Sequence, residues 1–404
     1  MTPPALLDLE PSLVDASLAN EGAERIAWAR SNMPVLAGLR DEFERDQPLA
    51  GRRIGMCLHV EMKTAVLVDV LSAGGAEIVW TGSPSTTDDG VAAAAAAAGV
   101  VVYSRRADTF DDHLGHIERV LASDPDLLLD NGADLIAASI DGRATRVTAA
   151  TEETTSGRNR LLGELAGRIP FPVVVINDSP IKLLFENEHG IGPAVVDGFM
   201  RATNSLIAGK TMAVVGYGSC GRSLARTLRA LGAIVVVVEV DPVRALEAAF
   251  DGMRVATLTR AAGLADAVFT VTGQPGIVRG DDLLELRDGA MLANVGHFGN
   301  EIAVDELEAL ATESRRVAKD MVEYRLPNGR TVRLLAGGEM LNLAAATGHQ
   351  MQIMDLGFAL QAYAMRELAL RPEQFAPGYQ PVPPEIDRSV AAAALGTLSS
   401  IELD

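Results

Sequence analysis

Residues 213–228 read AVVGYGSCGRSLARTL: an apolar run feeds Gly216, Gly218 and Gly221 in the spacing G-x-G-x-x-G, and a helical pattern follows. A strand that turns into a helix through three such glycines opens a βαβ unit built to hold a dinucleotide. The first glycine permits the tight turn, the second lets a pyrophosphate approach the backbone, and the third lets helix and strand pack closely. The anion then faces the positive end of the helix. A second apolar run, IVVVVEV, carries Glu239, close to the spacing expected of a carboxylate that takes ribose hydroxyls. This acid favours NAD. Arg244 nearby could meet a 2′-phosphate, which would favour NADP.

Alternating strand and helix patterns extend the same architecture along the chain. Residues 1–50 read as mostly helical. Beyond them IGMCLHV, AEIVWTG, GVVVYS, DLLLDNG and FPVVVIND have the composition of buried strands, and TAVLVDVLSAGG, the alanines 92–98 and DHLGHIERVLAS that of helices. The alanine run is a helix packed closely on a sheet rather than a low-complexity tract, since alanine has the strongest helix propensity. A second series comprises TMAVVG, IVVVVEV, RVAT, DAVFTVTG and AMLANVGH, and after residue 345 come one long helix, a proline-rich link and a short tail. This rhythm makes mostly parallel sheets covered on both faces. A chain of 404 residues suffices for two such domains.

Composition narrows the function. A net charge of −19 leaves no basic face for nucleic acid. Two cysteines, Cys57 and Cys220, make neither a disulfide framework nor a cysteine-rich metal site. No apolar run approaches a membrane span, and MTPPALLDLEPSL lacks the basic and apolar regions of a signal peptide. The expectation is a cytoplasmic enzyme without a metal, acting on a small molecule.

Outside the glycine motif, polar residues collect where buried strands end: CLHVEMKT (57–64), DNGADL (130–135), ATEETTSG (150–157), NDSPIKLLFENEHG (177–190), NVGHFGNEI (294–302) and NLAAATGHQ (342–350). Ligands of open α/β sheets bind outside the carboxyl ends of strands, so these clusters point to a site between domains. Singly, each has an ordinary structural explanation. His59 reads as a core histidine, and Lys182 with Glu186 reads as a solvated helical pair. Together and in this order, GMCLH, EETT, NDS…K…FxN, GYGxxG, NxGHF and NLxxxxGH resemble the adenosylhomocysteinases (S-adenosylhomocysteine hydrolases) over roughly residues 20–395. HVEMKTA and the short tail are similar to the archaeal-type branch of that family.

The resemblance implies an α/β fold of two doubly wound parallel-sheet domains. A substrate-binding domain would span 1–190 and 348–375, a Rossmann NAD-binding domain 191–347, and a C-terminal tail 376–404. It also implies a homo-oligomer, dimer or tetramer, and a reaction without net redox change. In the family NAD oxidises the 3′-hydroxyl of an adenine nucleoside, the 4′-hydrogen becomes acidic and is removed, the 5′ substituent leaves, and the ketone is reduced again. Carried onto this chain, Lys182 lies against the 3′-hydroxyl, Glu153 binds the ribose hydroxyls, and Glu186 stands at an aspartate position. His59, Asn131 and His297 surround the 5′ group. Glu61, Lys63 and His349 read the base edge, with Thr64, Met354 and Phe358 beside them. Thr154, Thr155, Ser156, Asn187, Gly216, Gly218, Ser219, Cys220, Gly221, Glu239, Arg244, Thr272, Gly273, Val295, Gly296, His297, Asn342 and His349 hold NAD. His113 and His116 match nothing and read as part of a surface helix.

The chain departs from the family pattern on the 5′ side. Asn131 replaces the aspartate that follows Asp130, and an amide carries no proton near neutral pH. Gly299 replaces an acid, and Ile191 and Gln350 also differ. The redox residues are intact. This pattern favours a diverged nucleoside dehydratase that loses a 5′ hydroxyl as water and leaves a 4′,5′ alkene, as in nucleoside-antibiotic metabolism. An ordinary adenosylhomocysteinase, cleaving S-adenosylhomocysteine to adenosine and homocysteine, is the alternative. A catalytically silent nucleoside- or NAD-binding regulator is the third reading.

Overall fold

Buried runs of branched apolar residues become the strands of two separate sheets. The computed structural model describes residues 5–6, 9–83, 86–140, 146–296 and 300–398. The chain divides into unit 1, residues 1–183 with 351–404, and unit 2, residues 184–350.

Unit 1 contains β1 (Arg53–Cys57), β2 (Glu77–Thr81), β3 (Val101–Val102), β4 (Leu127–Asp130), β5 (Ala149–Glu152), β6 (Pro172–Val175) and the C-terminal strand β15 (Gly378–Pro381). They form one sheet in the order β15-β6-β5-β4-β1-β2-β3, parallel throughout. Strands β1, β4, β5 and β6 are buried along their whole length, as a sheet covered on both faces requires. Strand order reverses at β1, with β2 to one side and β4 to the other. The carboxyl ends of β1 and β4 therefore flank a switch point, where such sheets bind ligands.

Residues 376–404, expected as a separate tail, contribute β15 and the helix Pro384–Thr397 to unit 1. The proline-rich link obscures a strand because an edge position tolerates proline. The helix Phe110–Ala122 corrects a second expectation. It buries His113 and His116 together with Ile117, Val120 and Leu121, the spacing of one helical face. His113 Nδ1 lies 3.0 Å from the Gly82 carbonyl oxygen, and His116 Nε2 lies 3.0 Å from the Asp108 carboxylate. Both are core histidines, and among the described residues His116 Nδ1 has no partner.

Unit 2 contains β7 (Thr211–Val215), β8 (Ile234–Val238), β9 (Arg254–Val255), β10 (Ala267–Thr270), β11 (Ala290–Asn294), β12 (Glu313–Ala318), β13 (Met321–Arg325) and β14 (Thr331–Leu335). Their order is β12-β13-β14-β11-β10-β7-β8-β9. The ladders from β14 to β9 are parallel, and β13 and β12 extend the edge in antiparallel fashion. The sequence pattern does not reveal β12–β14. ESRRVA is largely solvent-facing and MVEYR half-buried, so they lack the apolar run that marks a buried strand. Among the described residues no helix is long and apolar enough to cross a membrane.

The alanine run lies in the helix Asp89–Ala97, capped by Asp88. It packs on the helix Ala19–Ser31 so closely that a Cβ on Gly22 would lie 1.8 Å from the Gly90 carbonyl oxygen. Glycine-to-alanine changes in helix interiors ordinarily stabilise by about 0.5–1 kcal/mol. Here the methyl overlaps backbone, and overpacking costs about 1–3 kcal/mol. Gly22→Ala is expected to lower the urea midpoint at unchanged slope; a raised midpoint would show that the two helices separate freely.

Candidate functional site

Four strand ends in unit 1 carry the polar clusters. Beyond β1 the chain passes through His59, and Glu61 then caps the helix Met62–Ala73. Glu61 accepts from the Lys63 and Thr64 N–H groups at 3.1 and 3.0 Å and from the Thr64 hydroxyl at 3.1 Å. The buried Lys63 ammonium returns to the same carboxylate at 2.8 Å. Beyond β4, Asn131 Nδ2 lies 3.5 Å from His59 Nε2, a long donor–acceptor contact. Beyond β5, Glu153 is buried with both oxygens engaged: the Lys182 ammonium donates to one at 2.6 Å and the Gln361 amide to the other at 2.5 Å. Beyond β6, Asn177 accepts from the Thr155 hydroxyl at 2.8 Å. The hydroxyls of Thr154 and Ser156 lie 2.9 Å apart.

Gln361 belongs to the helix Met351–Leu370, which also carries buried Phe358 and part-buried Met354. No motif marked it. The available signal was an amide in the middle of an apolar helix, since a buried polar side chain needs a partner. Lys182, Glu186 and Asn187 lie on a π-helical stretch, Lys182–Gly190. Lys182 and Glu186 are buried, which removes the solvated-pair explanation. Such wide turns concentrate at functional positions. By the division of the chain, Lys182 belongs to unit 1, and Glu186, Asn187 and His349 belong to unit 2.

In unit 2 the three glycines have different causes. Gly216 has φ 106°, and a Cβ there would lie 2.8 Å from the Val271 carbonyl oxygen. A Cβ on Gly221 would lie 2.0 Å from the Gly216 oxygen. The fold itself demands these two. Gly218 is different: φ −72° and ψ −170° suit any residue, and a Cβ would approach only the Arg244 guanidinium, at 3.9 Å. It stands before the helix Ser219–Ala230, which begins with Ser219 and Cys220 and presents its positive end there. Glycine at 218 is explained by a ligand that comes close to the backbone. On one side Glu239 is fixed by the N–H groups of Tyr217, Val240 and Asp241 at 2.7, 2.7 and 2.9 Å. On the other side lie Thr272 and Gly273 after β10, and Val295 and Gly296 after β11. Asn342 is buried, and its side-chain oxygen has no partner among the described residues. An open backbone cradle and an orphaned acceptor both fit a dinucleotide. His297, like Gly299, lies outside the described residues.

Comparison with known proteins agrees with this geometry. Residues 187–348 match the family described as S-adenosyl-L-homocysteine hydrolase, NAD binding domain, and residues 11–150 match S-adenosyl-L-homocysteine hydrolase. The chain is 47% identical over 401 residues to the S-inosyl-L-homocysteine hydrolase of Methanopyrus kandleri, covering 98% of this chain and 94% of that one. It is 41% identical over 403 residues to the adenosylhomocysteinase of Aquifex aeolicus, covering 98% and 96%. The S-inosyl-L-homocysteine hydrolase of Methanocaldococcus jannaschii is 43% identical over 395 residues, covering 96% and 95%.

The chain belongs to the S-adenosyl-L-homocysteine hydrolase family. Its cofactor is NAD. The three relatives are named as hydrolases, and the dehydratase expectation finds no support among them.

Beneath the strand ends sit two carboxylates to which the family resemblance gave no role. Asp130 and Glu152 are neighbours in the β4–β5 ladder and fully buried. Glu152 accepts from the N–H groups of Gly132, Ala133 and Thr154 and from the Thr154 hydroxyl, at 2.7–3.0 Å. Asp130 accepts from the N–H groups of Asn131 and Ile136 at 2.8 and 2.7 Å. Ala133 is held at φ 61°, a left-handed conformation unfavourable for alanine, and its N–H bond to Glu152 offsets that strain. Burial pushes Asp130 up to about 7 and Glu152 up to about 8, and the charge of Asp130 on Glu152 adds to it, against the pull of the N–H donors. Asp134 repels Asp130 and Arg160 attracts it, while the buried Cys57 thiol hydrogen-bonds to Asp130. Asn131 adds no third charge here, whereas an aspartate would.

Two predictions follow from this geometry. Gly218→Val should keep the unfolding midpoint within experimental error and abolish NAD binding by calorimetry; retained binding would remove Gly218 from the cofactor site. The second concerns pH. The folded pKa values lie above the ordinary 3.8 and 4.5, so the pair's stabilisation is complete below about pH 4 and lost as pH climbs through about 7–8. Unfolding free energy should fall between about pH 5 and pH 8, and Asp130→Asn should flatten that fall by removing one acid and its repulsion. Equal slopes for the two proteins in urea titrations would contradict it.

Proposed function

We propose that this protein hydrolyses the thioether of a nucleosyl-L-homocysteine, S-adenosyl or S-inosyl, to the nucleoside and homocysteine. Water supplies the 5′ oxygen and the thiol proton, so no net oxidation occurs. The observation that carries this reading is the buried Lys182–Glu153–Gln361 chain at the ends of β5 and β6, in a protein whose relatives are named for this hydrolysis. When bound, NAD supplies hydride acceptance and return at the ribose C3′.

The remaining work falls to side chains. Glu153, anchored by Gln361, orients Lys182 and accepts from the ribose hydroxyls. Lys182 takes and returns the 3′-hydroxyl proton. On the 5′ side Asn131 orients but transfers no proton, so His59 and His297 handle the proton traffic of thiol release and water addition. The Glu61–Lys63 pair places an acceptor and a donor together, able to meet a 6-amino or a 6-oxo purine.

The deciding assay supplies S-adenosylhomocysteine and S-inosylhomocysteine separately, with NAD, and follows thiol release and product mass. Homocysteine from either supports the reading. Release from neither, with a 5′-hydroxyl nucleoside losing one water, would replace it with the dehydratase. Lys182→Ala should lower turnover about 10²–10⁴-fold, the range of a positioned acid–base group. Nucleoside and NAD affinity should stay within about tenfold. A variant retaining half the wild-type rate would exclude lysine from the chemistry.

A further inference from the structure

Glu301 has no expected role, yet it organises one side of the cofactor domain. Its side chain is 1% exposed, and among the described residues no cation pairs with it. One carboxylate oxygen accepts from the Thr272 N–H at 2.9 Å and the Thr272 hydroxyl at 2.8 Å. The other accepts from the Gly273 N–H at 2.7 Å. That second oxygen also occupies the space of a side chain at residue 296, where a Cβ would lie 1.7 Å from it. One carboxylate thus ties the loop after β10 to the loop after β11.

The tie continues to the glycine motif. A Cβ on Gly216 would meet the Val271 carbonyl oxygen at 2.8 Å and Thr272 Cγ2 at 3.2 Å, so the pyrophosphate turn rests on the segment that Glu301 holds. Asn294 completes the assembly. Its side-chain oxygen accepts from the Gly296 N–H at 3.0 Å and the Thr270 hydroxyl at 3.1 Å, and its amide donates to the Gly296 oxygen at 3.0 Å. A backbone N–H donates once. The N–H groups of Thr272 and Gly273, two residues expected at the cofactor site, are therefore committed to Glu301.

A dinucleotide lies across the switch point of such a sheet, one nucleotide on each half. Glu239, just after β8, marks the adenosine side, so the loops after β10 and β11 serve the nicotinamide side. We propose that Glu301 is a positioning residue that sets the nicotinamide half of the site before NAD arrives. An ionised carboxylate suits the task because it only accepts, and all three of its partners donate. Glutamine would keep the size but turn an NH₂ group toward an N–H. This inference rests on NAD as cofactor, not on which thioether is cleaved.

The test compares NAD with ADP-ribose, which lacks nicotinamide, by calorimetry on cofactor-stripped full-length protein. Glu301→Gln should weaken NAD by at least about tenfold and ADP-ribose by less than about threefold, a selectivity that general loosening would not produce. Thr272→Val, which removes one of the three contacts, should shift the same ratio less. Glu239→Gln should weaken both ligands alike. Circular dichroism establishes folding, and if Glu301→Gln does not fold, Thr272→Val decides. Equal weakening of both ligands, or unchanged NAD affinity, would overturn the proposal.

Discussion

A buried carboxyl group is tolerated only while hydrogen-bond partners surround it, because a buried polar group left unmet costs more than a single hydrogen bond returns. Glu152 and Glu301 both live under this constraint, and in both the donors are mainly backbone N–H groups of loops at strand ends. Each loop would otherwise be free to sample many conformations. The acid selects one. Gly132, Ala133 and Thr154 in unit 1, and Thr272 and Gly273 in unit 2, inherit their positions from these two side chains.

Glu153 differs from its neighbour Glu152 by a single step along the strand, which turns it to a different environment. It meets an ammonium and an amide rather than backbone N–H groups. A buried ion pair of this kind is weak evidence for stability, since desolvation of both charges offsets much of their attraction. Its value lies in geometry: Lys182 is held at a fixed distance from a carboxylate that is itself held by Gln361. Consecutive glutamates therefore divide the labour, one shaping the loop and the other holding the lysine.

How much of this could be read in the sequence follows from the range of each contact. Gly216, Gly218 and Gly221 announce themselves because their spacing is local, and the family motifs carry His59, Glu153 and Lys182 the same way. Gln361 does not, because its partner lies 208 residues away. Strand β12 stays hidden because an exposed edge has no apolar signature, and β13 because it is only half-buried and carries Glu323 and Arg325. His113 and His116 read as surface residues because histidine counts as polar, although their spacing places them on the apolar face. Asn131 drew too much weight toward a dehydratase. Beside two buried acids an amide has a structural use of its own, and full-length similarity to hydrolases outweighs one position.

The two buried glutamates also restrict the order in which the sequence can drift. Glu152 leaves no room for a side chain at 157, where a Cβ would lie 2.1 Å from its carboxyl carbon, and Glu301 leaves none at 296. A glycine that changed first would collide with the acid, whereas an acid that shortened first would leave a void and several donors without an acceptor. Neither order is free of cost. Positions 152 and 157, and positions 296 and 301, should then vary as linked pairs across descendants of this chain.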